Sequence, residues 1–125
     1  MALKHSFYTI IIIKAFYNVY NELGHGFLES VYENALLIAL RNEGLSVQKQ
    51  KSIPVKYHDI VVGEFKADLI VENKVILELK AVRNIDNSHI AQLLNYLKAT
   101  DMEVGLLFNF GKKPEFKRLT FSNNQ

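Results

Sequence analysis

Cysteine is absent from this sequence of 125 residues, and neither sign of charge prevails. Without cysteine the chain has no disulfide framework, no thiolate zinc site and no iron–sulfur cluster, so any metal must bind to oxygen or histidine ligands. Oxygen ligands favour Mg²⁺ or Mn²⁺. The 15 basic residues only slightly exceed the 13 acidic ones, giving a formal charge of +2. Bulk charge therefore does not indicate a nucleic-acid binder, and any basic surface must be local.

An apolar run long enough to cross a membrane is also missing. Lys14 interrupts the stretch SFYTIIIIKAFYNVY, well short of the roughly 20 apolar residues that a span requires. No small-residue cleavage site follows it. We therefore expect the start of a buried helix in a cytoplasmic protein that has no membrane partner.

The length and the 49% hydrophobic content predict one domain, 1–125, with material for a single core. We expect an N-terminal helix in 1–23, a core in 24–121 and a tail in 122–125. Apolar periodicity and turn residues predict helices at 4–23, 26–43 and 88–100, and strands at 46–57, 60–71, 75–82, 103–110 and 116–121. This order, ααβββαβ(β), indicates a mixed α/β sandwich around one sheet.

Single residues refine these elements. Pro54 confines the first strand to a sheet edge or a bulge, because proline cannot donate to a ladder. Gly44 is a plausible C-terminal cap of the second helix. Asn87 or Ser88 is the expected N-cap of the third helix.

Three charged residues, Asp68, Glu78 and Lys80, interrupt the otherwise apolar strands of ADLIVENKVILELKA, residues 67–81. Side chains alternate along a strand, so Glu78 and Lys80 share a face. Whether Asp68 joins them depends on the hairpin turn.

The hairpin register decides where the two acids lie. A three-residue connection, Glu-Asn-Lys, pairs Val71 with Val75 and places Asp68 directly opposite Glu78. A tighter two-residue turn sets Asp68 against Leu79 and sends the acids to opposite faces, because a slip of one residue inverts every side chain.

Two carboxylates about 5 Å apart repel unless a cation lies between them or one is protonated. A divalent metal bound between the two carboxylates would offset their repulsion. Mg²⁺ binds one or two carboxylates and keeps several of its waters. A metal-activated water can attack phosphorus, with Lys80 offsetting the charge that develops on phosphate. The alternative is a cross-strand salt-bridge ladder of Asp68, Glu78, Lys66 and Lys80 on a solvated face.

The strand acid, the short hairpin and Glu-x-Lys on the next strand resemble the PD-(D/E)XK nuclease superfamily. GFLESVY, residues 26–32, matches the signature of its GxxExxY proteins. Further segments that look like this family follow in order: ENALLIALRNEGL, VKYHDIVVGEFKADLIVENKVILELKAV, HIAQLLNYLKATDMEVGLLFNFG and KRL. The resemblance spans roughly residues 16–121, although alanine rather than proline precedes Asp68.

The resemblance implies an αβββαβ core of the restriction-endonuclease-like type, preceded here by an extra helix. Its metal site would use Asp68, Glu78 and the main-chain carbonyl of Leu79, with Lys80 beside them. Glu29 corresponds to the helix glutamate that reaches the metal directly or through water in many relatives. Read from the sequence alone, Glu29 is also an ordinary acid in a first helical turn, where the helix dipole favours it.

Gln92 and Tyr96 lie four residues apart on the third helix and resemble the QxxxY element of exonuclease-type relatives. That element contacts phosphate or positions the lysine, whereas such a spacing taken alone is also typical of a surface pair. Further phosphate contacts are expected among the basic residues Lys49, Lys51, Lys56, Lys112, Lys113, Lys117 and Arg118. At least half of them are expected to be ordinary solubilising residues instead.

Together these features predict a Mg²⁺- or Mn²⁺-dependent nuclease that hydrolyses nucleic acid, with DNA as the expected substrate, through metal-activated water. Two alternatives stay open. One is a structure-selective junction resolvase of the same fold, which needs a two-fold homodimer to cut two strands symmetrically. The other is a catalytically silent module that binds nucleic acid or protein.

Overall fold

The computed structural model describes residues 5–122, which form three helices and five strands. The helices are α1 (Ser6–Leu23), α2 (Glu29–Asn42) and α3 (Asn87–Lys98). The strands are β1 (Val47–Tyr57), β2 (Ile60–Val71), β3 (Val75–Lys80), β4 (Val104–Phe110) and β5 (Pro114–Thr120). The predicted order and the α/β class are confirmed. The expected helix start at Lys4 and tail residues 123–125 lie outside the described residues.

The five strands form one sheet in the order β1-β2-β3-β4-β5. Only β3 and β4 run parallel, because α3 carries the chain back between them. Strand β1 lies at the sheet edge, where Pro54 is tolerated as predicted. The expected turn at His58 and Asp59 joins β1 to β2 with φ of 50° and 64°, which suits a tight hairpin.

Helices cover both faces of the sheet. Helices α1 and α2 pack over one face, and α3 packs over the other through Leu93 and Leu97. Aromatic rings anchor the first layer, with 4.3 Å between ring centroids in both the Phe16–Phe108 and the Tyr32–Phe110 stacks. Within residues 5–122, no helix combines the length and apolar content needed to cross a membrane.

The alternation of side chains reverses in the middle of β2. Phe65 and Ala67 pack in the cluster under α3, whereas Leu69 and Val71 pack in the cluster under α1 and α2. Residues two apart on a regular strand share one face, so the reversal occurs at Asp68. Strand β1 adapts to it with Gln50 at a φ of 53°. This local irregularity determines how the candidate site is built.

Two helix starts differ from the sequence-based expectation. Helix α2 begins at Glu29 rather than near Gly26, because Gly24 and Gly26 have φ of 70° and 109°, values that a right-handed helix excludes. Helix α3 is capped by Asp86, whose side chain accepts the N–H groups of Ser88 and His89. The prediction of Asn87 or Ser88 as the N-cap is therefore wrong, and the preceding residue, Asp86, is the N-cap.

Gly44 ends α2 as predicted. Its φ is 83°, and the N–H groups of Gly44 and Leu45 bond to the carbonyls of Arg41 and Leu40 at 3.0 and 3.2 Å. This pair of hydrogen bonds is the Schellman motif, in which a left-handed residue satisfies the last carbonyls of a helix.

We expect Gly44→Ala to lower the free energy of unfolding by about 1–2 kcal/mol, because an L residue pays that cost in the left-handed region. No atom outside the local chain lies within 4 Å of an added Cβ at Gly44 or at Gly63, and only Gly44 has positive φ. Gly63→Ala is thus the matched control. Urea unfolding that shows equal changes for the two variants would contradict the backbone explanation.

Candidate metal centre and active site

The β2–β3 hairpin brings Asp68 towards Glu78. Its connection has three residues, and the ladder pairs Val71 with Val75 and Leu69 with Leu77. The three-residue alternative is therefore confirmed, and the two-residue turn is wrong. The described ladder ends at that pair, and Asp68 and Glu78 follow it, close enough for the charge and hydrogen bonding of Asp68 to raise the pKa of Glu78.

Asp68 interrupts the sheet on both sides. The β1–β2 ladder pairs Lys49 with Leu69 and Lys51 with Ala67 but skips the residue between. The carboxylate of Asp68 replaces a ladder carbonyl, because its Oδ2 accepts the Leu79 N–H at 2.8 Å. This bond holds one carboxylate oxygen against β3, where Glu78 and Lys80 flank Leu79.

Glu78 is buried in this gap. Only 7% of the residue is exposed, and its Oε1 has no hydrogen-bond partner among the described residues. Burial raises the pKa of Glu78 to about 9, and the charge and hydrogen bonding of Asp68 add to that shift. At neutral pH without a cation the acid therefore holds a proton. A solvated salt-bridge ladder is wrong for this residue.

Lys80 lies partly buried at the end of β3. Its positive charge lowers the pKa of Glu78, against the larger effects that raise it. The next residue, Ala81, donates its N–H to Oε2 of Glu29 at 3.3 Å. The structure therefore places Glu29 beside the end of the Glu-x-Lys strand.

Tyr96 faces the same site from α3. Burial raises its pKa, and the charges of Glu78 and Asp68 raise it further. Gln92 hydrogen-bonds to Tyr96, as their spacing on one helical face predicts. The Tyr96 ring stacks on Phe65, with 3.7 Å between centroids. Tyr96 thus lies within range of the charges of the two acids, and Gln92 is linked to it from an exposed position.

Two residues of this region, Glu33 and Gln50, were not anticipated from the sequence. Glu33 is 7% exposed, and its Oε1 accepts the Gln50 amide at 2.7 Å. The same amide lies 3.4 Å from Oδ1 of Asp68. Burial raises the pKa of Glu33, and the charge of Asp68 contributes. The signal available in the sequence was the i, i+4 spacing of Glu33 from Glu29.

The GxxExxY residues hold the loop before α2 in place. The Tyr32 hydroxyl donates to the Gly24 carbonyl at 2.6 Å and accepts the Phe27 N–H at 3.2 Å. Gly26 allows the loop to bend with a φ of 109°. Together with the bond from Ala81 to Glu29, these contacts tie the loop to the end of β3.

The donor set fits a hard divalent cation. Within residues 5–122 no group of three or more His, Cys, Asp or Glu side chains converges as a metal-binding cluster. Mg²⁺, however, needs only one or two carboxylates and otherwise keeps water. The partnerless buried oxygen of Glu78, opposite Asp68, is the feature that a cation would satisfy.

The sequence profile of the PD-(D/E)XK nuclease superfamily matches residues 6–119. The chain belongs to this superfamily. Members are generally phosphodiesterases that act on nucleic acid, and they usually use divalent metals.

A solved structure shares the fold. The crystal structure of SSO0001 superposes with a TM-score of 0.55 at 15% sequence identity, over 76% of this chain and 50% of that one. The present chain thus spans about half the length of SSO0001, and the likeness shows the fold alone. No curated protein matches the sequence.

We expect the stability of the metal-free protein to depend on the proton of Glu78. The folded pKa of about 9 exceeds the ordinary 4.5, so between these values the native state binds more protons than the unfolded state. The stabilisation is complete below pH 4.5 and is lost as pH rises towards 9, with a slope of up to about 1.4 kcal/mol per pH unit.

Glu78→Gln imitates the protonated acid and should remove this dependence. Unfolding free energies measured in chelator from pH 5 to 9 should therefore diverge, with the variant gaining over wild type as pH rises. Glu64→Gln, at an exposed position of β2, is the control and should parallel wild type. Parallel profiles for Glu78→Gln and wild type would refute the assignment.

Proposed function

We propose that this protein is a Mg²⁺-dependent nuclease that hydrolyses phosphodiester bonds of DNA through metal-activated water. The observation that carries the proposal is the buried, partnerless Glu78 oxygen opposite Asp68, in a chain of the nuclease superfamily. Such an arrangement is costly for folding. A cation bound by both acids would offset this cost.

In this proposal Asp68 and Glu78 are the carboxylate ligands of the metal. The Leu79 carbonyl and Glu29 are the remaining ligands that the protein supplies. Only Oε2 of Glu29 bonds to Ala81, which is compatible with Oε1 serving the metal directly or through water. When bound, the metal would lower the pKa of water and polarise the phosphoryl oxygens.

The remaining residues act on substrate. The Lys80 ammonium, one position beyond the clamped Leu79 peptide, orients the attacking water and offsets negative charge that grows on phosphate. Gln92 and Tyr96 present an amide and a hydroxyl from α3, which suit phosphate contact or the positioning of Lys80. The charges of Asp68 and Glu78 that act on Tyr96 support its place at the reacting centre.

We further propose that the chain is one of the GxxExxY proteins and forms a single nuclease-like domain with the boundaries given above. The positive φ of Gly26 and the hydrogen bonds of Tyr32 and Glu29 support this assignment, since the first two shape the loop before α2 and the third links the start of α2 to Ala81. The cytoplasmic location, and the homodimer that a junction resolvase needs, stay predictions.

Lys80→Met should lower turnover by about 10² or more, because it removes the ammonium that acts on transition-state charge and keeps much of the aliphatic stem. Metal affinity should be retained or slightly raised, since a nearby cation no longer competes. Cleavage is measured with Mg²⁺ or Mn²⁺ on single-stranded, duplex and branched DNA and on RNA. Lys74→Met, in the exposed turn before β3, is the control.

Wild-type cleavage rates in Lys80→Met would overturn the catalytic role of Lys80. An inactive wild type on every substrate would instead favour the interaction module. Cleavage confined to branched DNA by a dimer would favour the junction resolvase.

Asp68→Asn combined with Glu78→Gln should abolish Mn²⁺ binding in calorimetry, because both carboxylate ligands are lost. Asp59→Asn combined with Glu64→Gln replaces one aspartate and one glutamate in the exposed β1–β2 hairpin, and this control should bind Mn²⁺ as wild type does. Equal Mn²⁺ affinity in wild type and the Asp68/Glu78 variant would sink the proposed metal site.

A further inference from the structure

A cavity of about 400 Å³ opens beside the Glu-x-Lys strand, between the loop before α2 and the ends of β3 and β4. It begins one position beyond the paired residues Lys80 and Asn109, since Ala81 and Phe110 both line it. We call it the Arg83 cavity. Of its described lining residues, only Lys112 is among the basic residues for which the sequence suggests phosphate contact.

Its walls combine positive charge with an aromatic surface. The titratable side chains that line it are His25, Arg83 and Lys112, and no acidic residue is among the described lining residues. Within residues 5–122, neither Arg83 nor Lys112 takes part in a salt bridge. Phe27, which also lines the cavity, is 47% exposed. Cationic groups beside an accessible ring suit a nucleotide, because the cations can bind its phosphate and the ring can stack on its base.

Three buried or partly buried polar side chains fix the walls from behind. Tyr32 holds the loop through Gly24 and Phe27. The Asn109 amide, 0% exposed, bonds to both the N–H and the carbonyl of Val82 at 2.9 Å.

The third is Tyr20. Its hydroxyl lies 2.8 Å from the Gly111 carbonyl oxygen and 2.7 Å from that of Lys112. The backbone is thus satisfied by scaffold residues, and the cationic side chains are left to face a ligand. A rigid backbone that carries adaptable charged side chains is typical of a binding site rather than of a gap in packing.

We propose that the Arg83 cavity binds the nucleotide next to the scissile phosphodiester, with its phosphate held by Arg83 and Lys112 and its base stacked on Phe27. This inference rests on the proposed nuclease function and specifies where the substrate strand leaves the metal centre. The short chain path from Lys80 through Ala81 to Arg83 places the cavity beside the reacting phosphate.

The first test is the salt dependence of binding to a fluorescein-labelled DNA oligonucleotide in chelator, which needs no catalysis. Each lost phosphate contact lowers the slope of log K against log salt by about 0.7 for single strands or 0.9 for duplex. Because Arg83 and Lys112 hold one and the same phosphate, Arg83→Gln combined with Lys112→Gln should reduce the slope by about 0.7 or 0.9. Lys14→Gln combined with Lys74→Gln removes the same charge from exposed positions elsewhere and should leave the slope close to wild type.

The second test addresses the base with an oligonucleotide that carries 2-aminopurine, whose fluorescence falls on stacking. Wild type should quench it, Phe27→Ala should not, and Phe27→Tyr should restore quenching. Leu28→Ala, at the neighbouring residue that is 77% exposed, should behave as wild type. Recovery by tyrosine separates a stacking role from a mere effect on the loop fold.

An equal slope change in the cavity and control pairs would overturn the inference and leave the nuclease proposal standing. Quenching that persists in Phe27→Ala would likewise contradict the proposal that the base stacks on Phe27 in this cavity. If wild type neither binds nor cleaves any nucleic acid, the proposed function and the cavity assignment fall together.

Discussion

The approach of Asp68 and Glu78 inside an apolar sheet is the constraint on which the rest of this structure depends. The β2–β3 ladder stops at Leu69 and Leu77, one residue before the two acids. The freed Leu79 N–H turns to the Asp68 carboxylate. The gap that results is too dry for an unpaired Glu78 anion, and the raised pKa of Glu78 expresses that conflict.

Past the ladder, side chains from three elements replace strand partners along the end of β3. Asp68 of β2 holds the Leu79 N–H, Glu29 of α2 holds the Ala81 N–H, and Asn109 of β4 holds both polar groups of Val82. Lys80 therefore lies between peptide groups that are fixed on either side. These bonds fix the backbone from which the Lys80 side chain extends. The fixed backbone limits the volume that the Lys80 ammonium can reach.

The sequence predicted the element order, the edge position of Pro54 and the three-residue β2–β3 turn, because each follows from a local rule of periodicity, proline geometry or turn length. The roles of Gln50 and Glu33 could not be predicted in the same way. Their meeting depends on the reversal of β2 at Asp68, which no two-residue pattern encodes, and on a positive φ at Gln50. Glutamine has no special preference for that conformation, so the sequence left no mark of it.

The cap of α3 shows a smaller failure of the same kind. Asp86, Asn87 and Ser88 are all good capping residues, and intrinsic preference could not rank them. Asp86 prevails because its carboxylate reaches two N–H groups while His89 returns a bond to the Asp86 N–H. This reciprocal arrangement depends on a residue three positions away.

The two glutamates of α2, Glu29 and Glu33, differ in burial and in the groups that they contact. Glu29 lies exposed in the first turn, where one of its oxygens is engaged with backbone. Glu33, one turn later, is buried and tied through the Gln50 amide to Asp68. A neutral amide that donates to two acids separates their charges without neutralising either, and Lys49 lies 3.6 Å from the other Glu33 oxygen. Helix α2 is thus linked to Asp68 through Gln50 from its second turn and to the Ala81 N–H from its first.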